Sequence, residues 1–211
     1  GGEKQEDDGG GVVAGKGRWE CIFSWQKMKP LSVYIEKERQ KIIAPHLADR
    51  ILDLGCGYGA LVRYNQPKPE NYLGVDQLQQ VQQWFQRQYP EYRVKIIDLE
   101  SDFLDVESRF DTIVMTACLE HLKTPDHIFS QLPHILNQNG KILITTPTPF
   151  GGKIHAFGSQ FGFFYREAAE DHEIFYNRAT LQELFRRHGM KMVEYSQFMF
   201  GGNQFAVGMS S

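Results

Sequence analysis

The stretch Ile51-Leu52-Asp53-Leu54-Gly55-Cys56-Gly57-Tyr58-Gly59 decides the fold of this 211-residue chain. Its first half is a short apolar run, interrupted by one acid, of the kind that forms a buried strand. Its second half places glycine at every second position. Glycine adopts positive φ values and lets a ligand approach the backbone closely. The stretch therefore predicts a first strand, a tight glycine turn and the start of a helix.

A second strand ending in an acid follows this turn. Tyr72-Leu73-Gly74-Val75 is apolar and leads into Asp76, 17 residues beyond Gly59. In doubly wound α/β folds, an acid at the end of the second strand, about 20 residues after the glycine turn, binds the ribose hydroxyls of a nucleoside cofactor. The spacing therefore predicts a nucleoside-cofactor site. Gly55, Gly57 and Ala60 also satisfy G-x-G-x-x-G/A, so an NAD-dependent oxidoreductase is an alternative.

The rest of the chain alternates strand and helix patterns, which predicts a parallel sheet. The helices are predicted at Leu31–Leu47, Leu78–Tyr89 and Asp126–Leu136, and Pro67 and Pro69 keep the first crossover helix short. Two apolar segments, residues 191–200 and 204–209, surround a Gly-Gly-Asn turn and predict a terminal antiparallel hairpin. NAD domains continue with parallel strands, so the hairpin argues against that alternative.

Asp53-x-Gly55-x-Gly57-x-Gly59 resembles the first motif of the class I S-adenosylmethionine (SAM)-dependent methyltransferases. Further segments resemble this family in the right order: Val94–Leu99 its third strand, Phe110–Thr116 its fourth, and Leu136–Ile144 its helix end, glycine turn and fifth strand. Ala117-Cys118-Leu119-Glu120-His121-Leu122 resembles the "LEH" turn of the small-molecule branch that includes the ubiquinone-biosynthesis enzymes (methyltransferase type 11/12). His172–Tyr176, followed by a helix ending in His188-Gly189-Met190, is similar to the same branch.

The resemblance covers residues 35–209 and implies the seven-stranded methyltransferase fold, an α/β, doubly wound, Rossmann-like sheet with an antiparallel C-terminal hairpin. It implies SAM as the cofactor, with Asp76 binding the ribose and Asp98 the adenine amino group. The cofactor residues it predicts are Asp53, Gly55, Cys56, Gly57, Gly59, Asp76, Gln77, Asp98, Leu99, Thr116 and Ala117.

The chemistry of these residues agrees with SAM, which carries no phosphate and needs no basic residue. Asp53, Asp76 and Asp98 provide negative charge where a nucleoside with a sulfonium cation would bind. Two structural roles stay open: Asp53 as a carboxylate that braces the loop, and Asp76 as the N-cap of the following helix.

Methyl transfer to a hydroxyl or amine can require a general base with a pKa near 7, a role that suits histidine. His121, His155 and His172 are the candidates, because each belongs to a loop predicted at the carboxyl edge of the sheet. Some ubiquinone-branch enzymes bind a metal near the "LEH" turn, but Ala117 stands where a further glutamate ligand is expected. We therefore predict no metal.

We divide the chain into a disordered or tag-derived tail at residues 1–17 and a single methyltransferase domain at residues 18–211. The resemblance implies that residues 18–48 form N-terminal helices that cap the cofactor, and a surface helix packed on the sheet edge is the alternative. Residues 147–178 are predicted to be a substrate lid, because so long a loop is usually functional. A local helical pair, with the aromatic residues as its own core, is the alternative. The aromatic residues of this segment favour a partly apolar or aromatic acceptor.

Composition limits the partners of the protein. The formal net charge is −3 and the pI about 6.2, which disfavours a nucleic-acid partner. No apolar run reaches the roughly 18 residues of a membrane span. Three scattered cysteines without C-x-x-C spacing indicate reduced thiols and a cytoplasmic protein.

We therefore expect a SAM-dependent methyltransferase that acts on a small molecule, with O-methylation favoured. A catalytically silent SAM-fold partner protein is an alternative from another class, but it would have no need of the intact glycines and acids. RNA methylation is disfavoured by the charge and by Thr116-Ala117-Cys118-Leu119, which stands where an Asn/Asp-Pro-Pro-Tyr motif would be expected.

Overall fold

The computed structural model describes residues 30–106, 108–151 and 174–210. Its strands are β1 (Ile51–Leu54), β2 (Tyr72–Asp76), β3 (Arg93–Ile96), β4 (Phe110–Thr116), β5 (Leu136–Pro147), β6 (Met190–Phe198) and β7 (Asn203–Ser210). These seven form one sheet in the order β3-β2-β1-β4-β5-β7-β6. Strands β1 to β5 pair in parallel, whereas β7 is antiparallel to β5 and β6. The predicted fold class and the C-terminal hairpin are confirmed.

Helices cover both faces of this sheet. Helices α1 (Pro30–Ile43), α2 (Ala60–Asn65) and α3 (Gln79–Gln88) pack on one face, and α4 (Pro125–Phe129), α5 (Leu132–Ile135) and α6 (Arg178–Arg187) on the other. Every residue of β1 is buried, with Leu52 and Leu54 in the core on the α4–α6 face and Ile51 in the core on the α1–α3 face. None of the described helices is long and apolar enough to cross a membrane.

The chain order locates the ligand site. The chain lays β2 and then β3 on one side of β1, and returns to place β4 on the other side. Open α/β sheets bind ligands outside the carboxyl ends of the strands, where the strand order reverses. The carboxyl ends of β1, β2 and β4 therefore mark the site.

Three predicted boundaries are wrong, each for a local reason. The helix predicted at Asp126–Leu136 is split into α4 and α5, because Pro133 has no N–H to donate to the Phe129 carbonyl. Helix α1 ends at Ile43 and a 3₁₀ turn containing Pro45 follows it. Strand β5 begins at Leu136, so the predicted helix end and glycine turn belong to the strand, which pairs irregularly with the start of β4.

Candidate active site

The glycine turn, residues 55–59, requires glycine for two reasons: its backbone has positive φ values, and neighbouring side chains leave no room for a Cβ at some positions. Gly55, Gly57 and Gly59 have φ values of 69°, 47° and 68°, in the left-handed region that glycine adopts easily. A Cβ at Gly55 would lie 2.6 Å from Cys118 Sγ, because the turn packs directly against the segment after β4. The N–H of Gly55 donates to the Val75 carbonyl at 2.9 Å, which ties the turn to β2.

Asp76, at the end of β2, holds this turn through its side chain. Its Oδ2 accepts from the Gly57 N–H at 3.0 Å, and its Oδ1 accepts from the Leu78 N–H at 2.9 Å. The N-cap position of α3 is Leu78, so Asp76 is not the N-cap that the sequence left open as an alternative. Each carboxylate oxygen has a second lone pair, so Asp76 can still accept hydrogen bonds from a ligand.

A cleft of about 840 Å³, which we call the carboxyl-edge cleft, opens beside Asp76 at the carboxyl ends of β1 to β4. Seven of the predicted site residues line it: Gly55, Asp76, Gln77, Asp98, Leu99, Ala117 and His121. The lining also includes six residues that sequence reasoning missed: Leu78, Ile97, Glu100, Cys118, Leu122 and Lys123. Most of these adjoin a predicted residue in the chain, and that adjacency was the signal that could have found them.

Asp53 is a predicted cofactor residue that does not line this cleft. It is 3% exposed, and its Oδ2 accepts from the Tyr72 hydroxyl at 2.9 Å. Gly74 stands opposite Asp53 in the β1–β2 pairing, and a Cβ there would come within 3.1 Å of the Tyr72 hydroxyl. Burial raises the pKa of Asp53 to about 7. The hydrogen bond from Tyr72 lowers this pKa, and the nearby charge of Asp76 raises it further. In this geometry Asp53 braces the two strands below the turn.

Cys56, Gly57, Gly59 and Thr116 also lie outside the lining. Cys56 is 5% exposed and packs against β2, with its Sγ 2.9 Å from where a Gly74 Cβ would be. Gly59 faces α3, since a Cβ there would lie 3.0 Å from the Phe85 ring. Cys56, Gly57 and Gly59 shape the turn from within the fold, Gly57 through its hydrogen bond to Asp76, and Thr116 is the last residue of β4.

The charges in the cleft are mainly negative. Asp76, Asp98 and Glu100 line it together with a single lysine, Lys123. Asp98 Oδ1 accepts from the Glu100 N–H at 2.9 Å, which fixes its carboxylate. Burial opposes ionisation of Glu100, but donors from Lys123 and Thr124 outweigh it and lower its pKa. Such a cleft suits a cation better than a phosphate.

The segment after β4 also lines the cleft. Ala117 has a φ of 51°, a strained value for a residue with a Cβ, and its N–H donates to the Thr145 carbonyl at 2.8 Å. A 3₁₀ turn, Leu119–His121, follows and puts His121 in the lining. His155 and His172 lie outside the described residues, as do most of the predicted lid and residues 1–29. In the described ranges no group of three His, Cys, Asp or Glu side chains could hold a metal ion.

Comparison with known proteins decides the family. Residues 25–195 match a family model described as "Methyltransferase domain". This chain is a class I SAM-dependent methyltransferase. SAM is accordingly its cofactor.

Solved structures show the same fold at low identity. The methyltransferase is similar to a SAM-dependent methyltransferase from Clostridium acetobutylicum, with a TM-score of 0.65 and 15% identity over 87% of this chain and 95% of that one. It is also similar to magnesium protoporphyrin IX methyltransferase from Synechocystis, solved with bound S-adenosylhomocysteine (SAH), with a TM-score of 0.66 and 15% identity over 92% and 93%.

One curated relative is named as a tRNA-modifying enzyme. The methyltransferase is 32% identical over 117 residues to a tRNA U34 carboxymethyltransferase from Syntrophotalea carbinolica. The match covers 49% of this chain and only 35% of that relative.

Proposed function

We propose that this methyltransferase binds SAM in the carboxyl-edge cleft and transfers its methyl group to a hydroxyl of a small molecule. The observation that carries the proposal is the pairing of Asp76 with the glycine turn at the mouth of this cleft. An acid that is held by two backbone donors and lines a cleft of about 840 Å³ suits a ribose diol.

The lining suggests a role for each part of the cleft. Asp76 would accept hydrogen bonds from the ribose, and Asp98 would accept one from the adenine amino group. Ile97 and Leu99 are buried apolar residues beside Asp98, suited to the faces of a purine. Gly55 and Ala117 would lie at the sulfonium end, where the backbone approaches closely.

Bound SAM supplies a methyl carbon already activated by the sulfonium, so the enzyme mainly provides orientation and exclusion of water. The acceptor oxygen must also lose a proton. Among the described candidates, His121 lines the cleft and would accept that proton, directly or through water. The same role is proposed for His155 or His172 if either reaches the cleft.

The small-molecule acceptor is supported by the "LEH" turn of the family branch and by a net charge of −3, which does not favour binding to a polyanion. The aromatic content of residues 147–178 supports an acceptor with an apolar or aromatic part. The free buried thiols of Cys56 and Cys118 are consistent with a cytoplasmic enzyme.

Transfer to tRNA is the second candidate function, because the curated relative is a tRNA-modifying enzyme. Methyl-labelled SAM, incubated with the protein and either a panel of phenols and aliphatic alcohols or total tRNA, separates the two. Label in a small-molecule product, at a level that Asp76→Ala reduces, supports the proposal. Label in tRNA alone would replace it with the second candidate, and binding of SAM without transfer to any class would favour a silent partner protein.

A further inference from the structure

Buried polar atoms without a hydrogen-bond partner are concentrated at one place in the described structure. The described residues contain five such side-chain atoms. Four of them lie at the carboxyl ends of β4 and β5 or in the turn after β4: Thr116 Oγ1, Glu120 Oε2, Thr145 Oγ1 and Thr146 Oγ1. The fifth is Gln40 Nε2 in α1. An unpaired buried polar group destabilises a fold, so a cluster of four requires an explanation.

Two of these atoms are neighbours across the sheet. Thr116 of β4 and Thr145 of β5 are partners in the parallel register, and neighbouring strands lie about 4.8 Å apart. Val114 and Leu143, two residues earlier on each strand, belong to the core beneath α1–α3, so both threonines face that same side. Their hydroxyls therefore lie side by side at the edge of the sheet, and neither is bonded to the other or to any described group.

This pair stands where the acceptor should bind if the proposed function holds. Asp76 and Asp98 place the nucleoside end of the cofactor over β2 and β3. Ala117 and Cys118, which directly follow Thr116 in the chain, belong to the lining of the cleft. The reactive end of the cofactor therefore points towards β4 and β5, and the acceptor must approach from there.

We infer that the Thr116 and Thr145 hydroxyls form an acceptor subsite that binds the hydroxyl-bearing end of the substrate. Glu120, 2% exposed and four residues beyond Thr116, adds an unpaired carboxylate oxygen at the same edge of the sheet. A carboxylate accepts hydrogen bonds, whereas a threonine hydroxyl both accepts and donates them, so the subsite suits a group that does both, such as a hydroxyl. Thr116 then contacts the acceptor, whereas the sequence predicted that it contacts the cofactor. The polar end of the substrate faces the sheet.

Isosteric Thr→Val variants test this without knowledge of the substrate. Thr116→Val and Thr145→Val remove a hydroxyl held unpaired, so each should raise the unfolding temperature of the ligand-free protein by about 2–4 °C. The matched control is Thr112→Val on the same strand and face, because Thr112 Oγ1 accepts from the Ala48 N–H at 2.9 Å. That control should lower the unfolding temperature. A similar loss in Thr116→Val or Thr145→Val would mean that the hydroxyl already has a partner, and would overturn the inference.

Crystals of the SAH complex soaked in ethanol test the ligand contact. Ethanol oxygen within hydrogen-bond distance of both threonine hydroxyls, absent in Thr145→Val, supports the subsite. Ethanol found only elsewhere, or an SAH Kd that rises more than threefold in Thr145→Val, would overturn it. Failure of the wild-type protein to bind SAH at all would instead defeat the proposed function, and the unfolding temperatures would still report on the hydroxyls.

Discussion

The backbone N–H of Gly57 donates to Asp76 Oδ2 at 3.0 Å, so the glycine turn and the acid of the neighbouring strand form a single unit. The Leu78 N–H occupies the other oxygen of the same carboxylate at 2.9 Å. The group proposed to bind the ribose is therefore held in place before any ligand arrives. Such preorganisation reduces the entropic cost of binding.

Asp76→Ala should weaken SAH and SAM binding by about 1–3 kcal/mol, because charge-assisted hydrogen bonds to the ribose are lost and the turn loses its brace. Isothermal titration calorimetry measures the change. Glu91→Ala removes an exposed acid that does not line the cleft and should leave both affinities unaltered. An unchanged Kd in Asp76→Ala would remove this residue from the proposed site.

Gly55→Ala should reduce cofactor affinity and stability more than Gly57→Ala does. Both positions have positive φ, but only a Cβ at Gly55 meets another residue, Cys118 Sγ at 2.6 Å, while a Cβ at Gly57 has nothing within 4 Å. Adding Cys118→Ala to Gly55→Ala should recover part of the loss by removing the contact with Sγ, although the 2.9 Å contact with Cys118 Cβ and the backbone strain stay. Chemical unfolding and SAH titration of the three variants measure this, and equal losses at the two glycines would contradict the packing argument.

The free energy of unfolding should depend on pH through Asp53. Its pKa in the fold is about 7, above the ordinary value of 3.8, because burial favours the neutral acid. The contribution of Asp53 to the free energy of unfolding is fully present below about pH 4. It is lost as the pH rises through 7, by an amount on the order of 4 kcal/mol. Asp53→Asn should flatten the decline in urea unfolding experiments between pH 4.5 and 7.5. The same slope in Asp53→Asn and wild type would show that another group causes it, and Asp105→Asn serves as an exposed control.

Gln204→Leu should destabilise the fold by about 2–4 kcal/mol, because it leaves several buried groups unpaired. Gln204 is fully buried; its Nε2 donates to the carbonyls of Pro147 and Tyr176, and its Oε1 accepts from the Tyr195 hydroxyl. Those carbonyls lie on either side of residues 152–173 in sequence. Urea unfolding should show a change within about 0.5 kcal/mol for Gln197→Leu, at the exposed end of the same network. Comparable effects in the two variants would argue against this role for Gln204.

The sequence predicts the glycine turn, Asp76 at the end of β2 and the antiparallel hairpin, because each depends on short-range features of the chain. Positive φ at Gly55, the strand before it and the spacing to Asp76 are all local. It also found the carboxyl edge, since the topology of this fold places the ends of β1, β2 and β4 together.

It missed contacts that depend on distant segments coming together. A bracing role for Asp53 was open from the sequence, but its partner was not: the hydrogen bond from Tyr72 and the position of Gly74 opposite Asp53 depend on the β1–β2 register. Glu100 and Lys123 meet at the cleft only because the segments after β3 and β4 fold against each other. The helix predicted at Asp126–Leu136 is a different case, since Pro133 was visible and its effect on the helix was underestimated.

A crystal structure of the SAH complex tests the central claim most directly. We predict the ribose hydroxyls on Asp76, the adenine beside Asp98 and Leu99, and the sulfur near Gly55 and Ala117, facing the carboxyl ends of β4 and β5. SAH bound in the opposite orientation, or in the smaller cavity of about 440 Å³ near Arg50 and Arg93 at the other edge of the sheet, would contradict it.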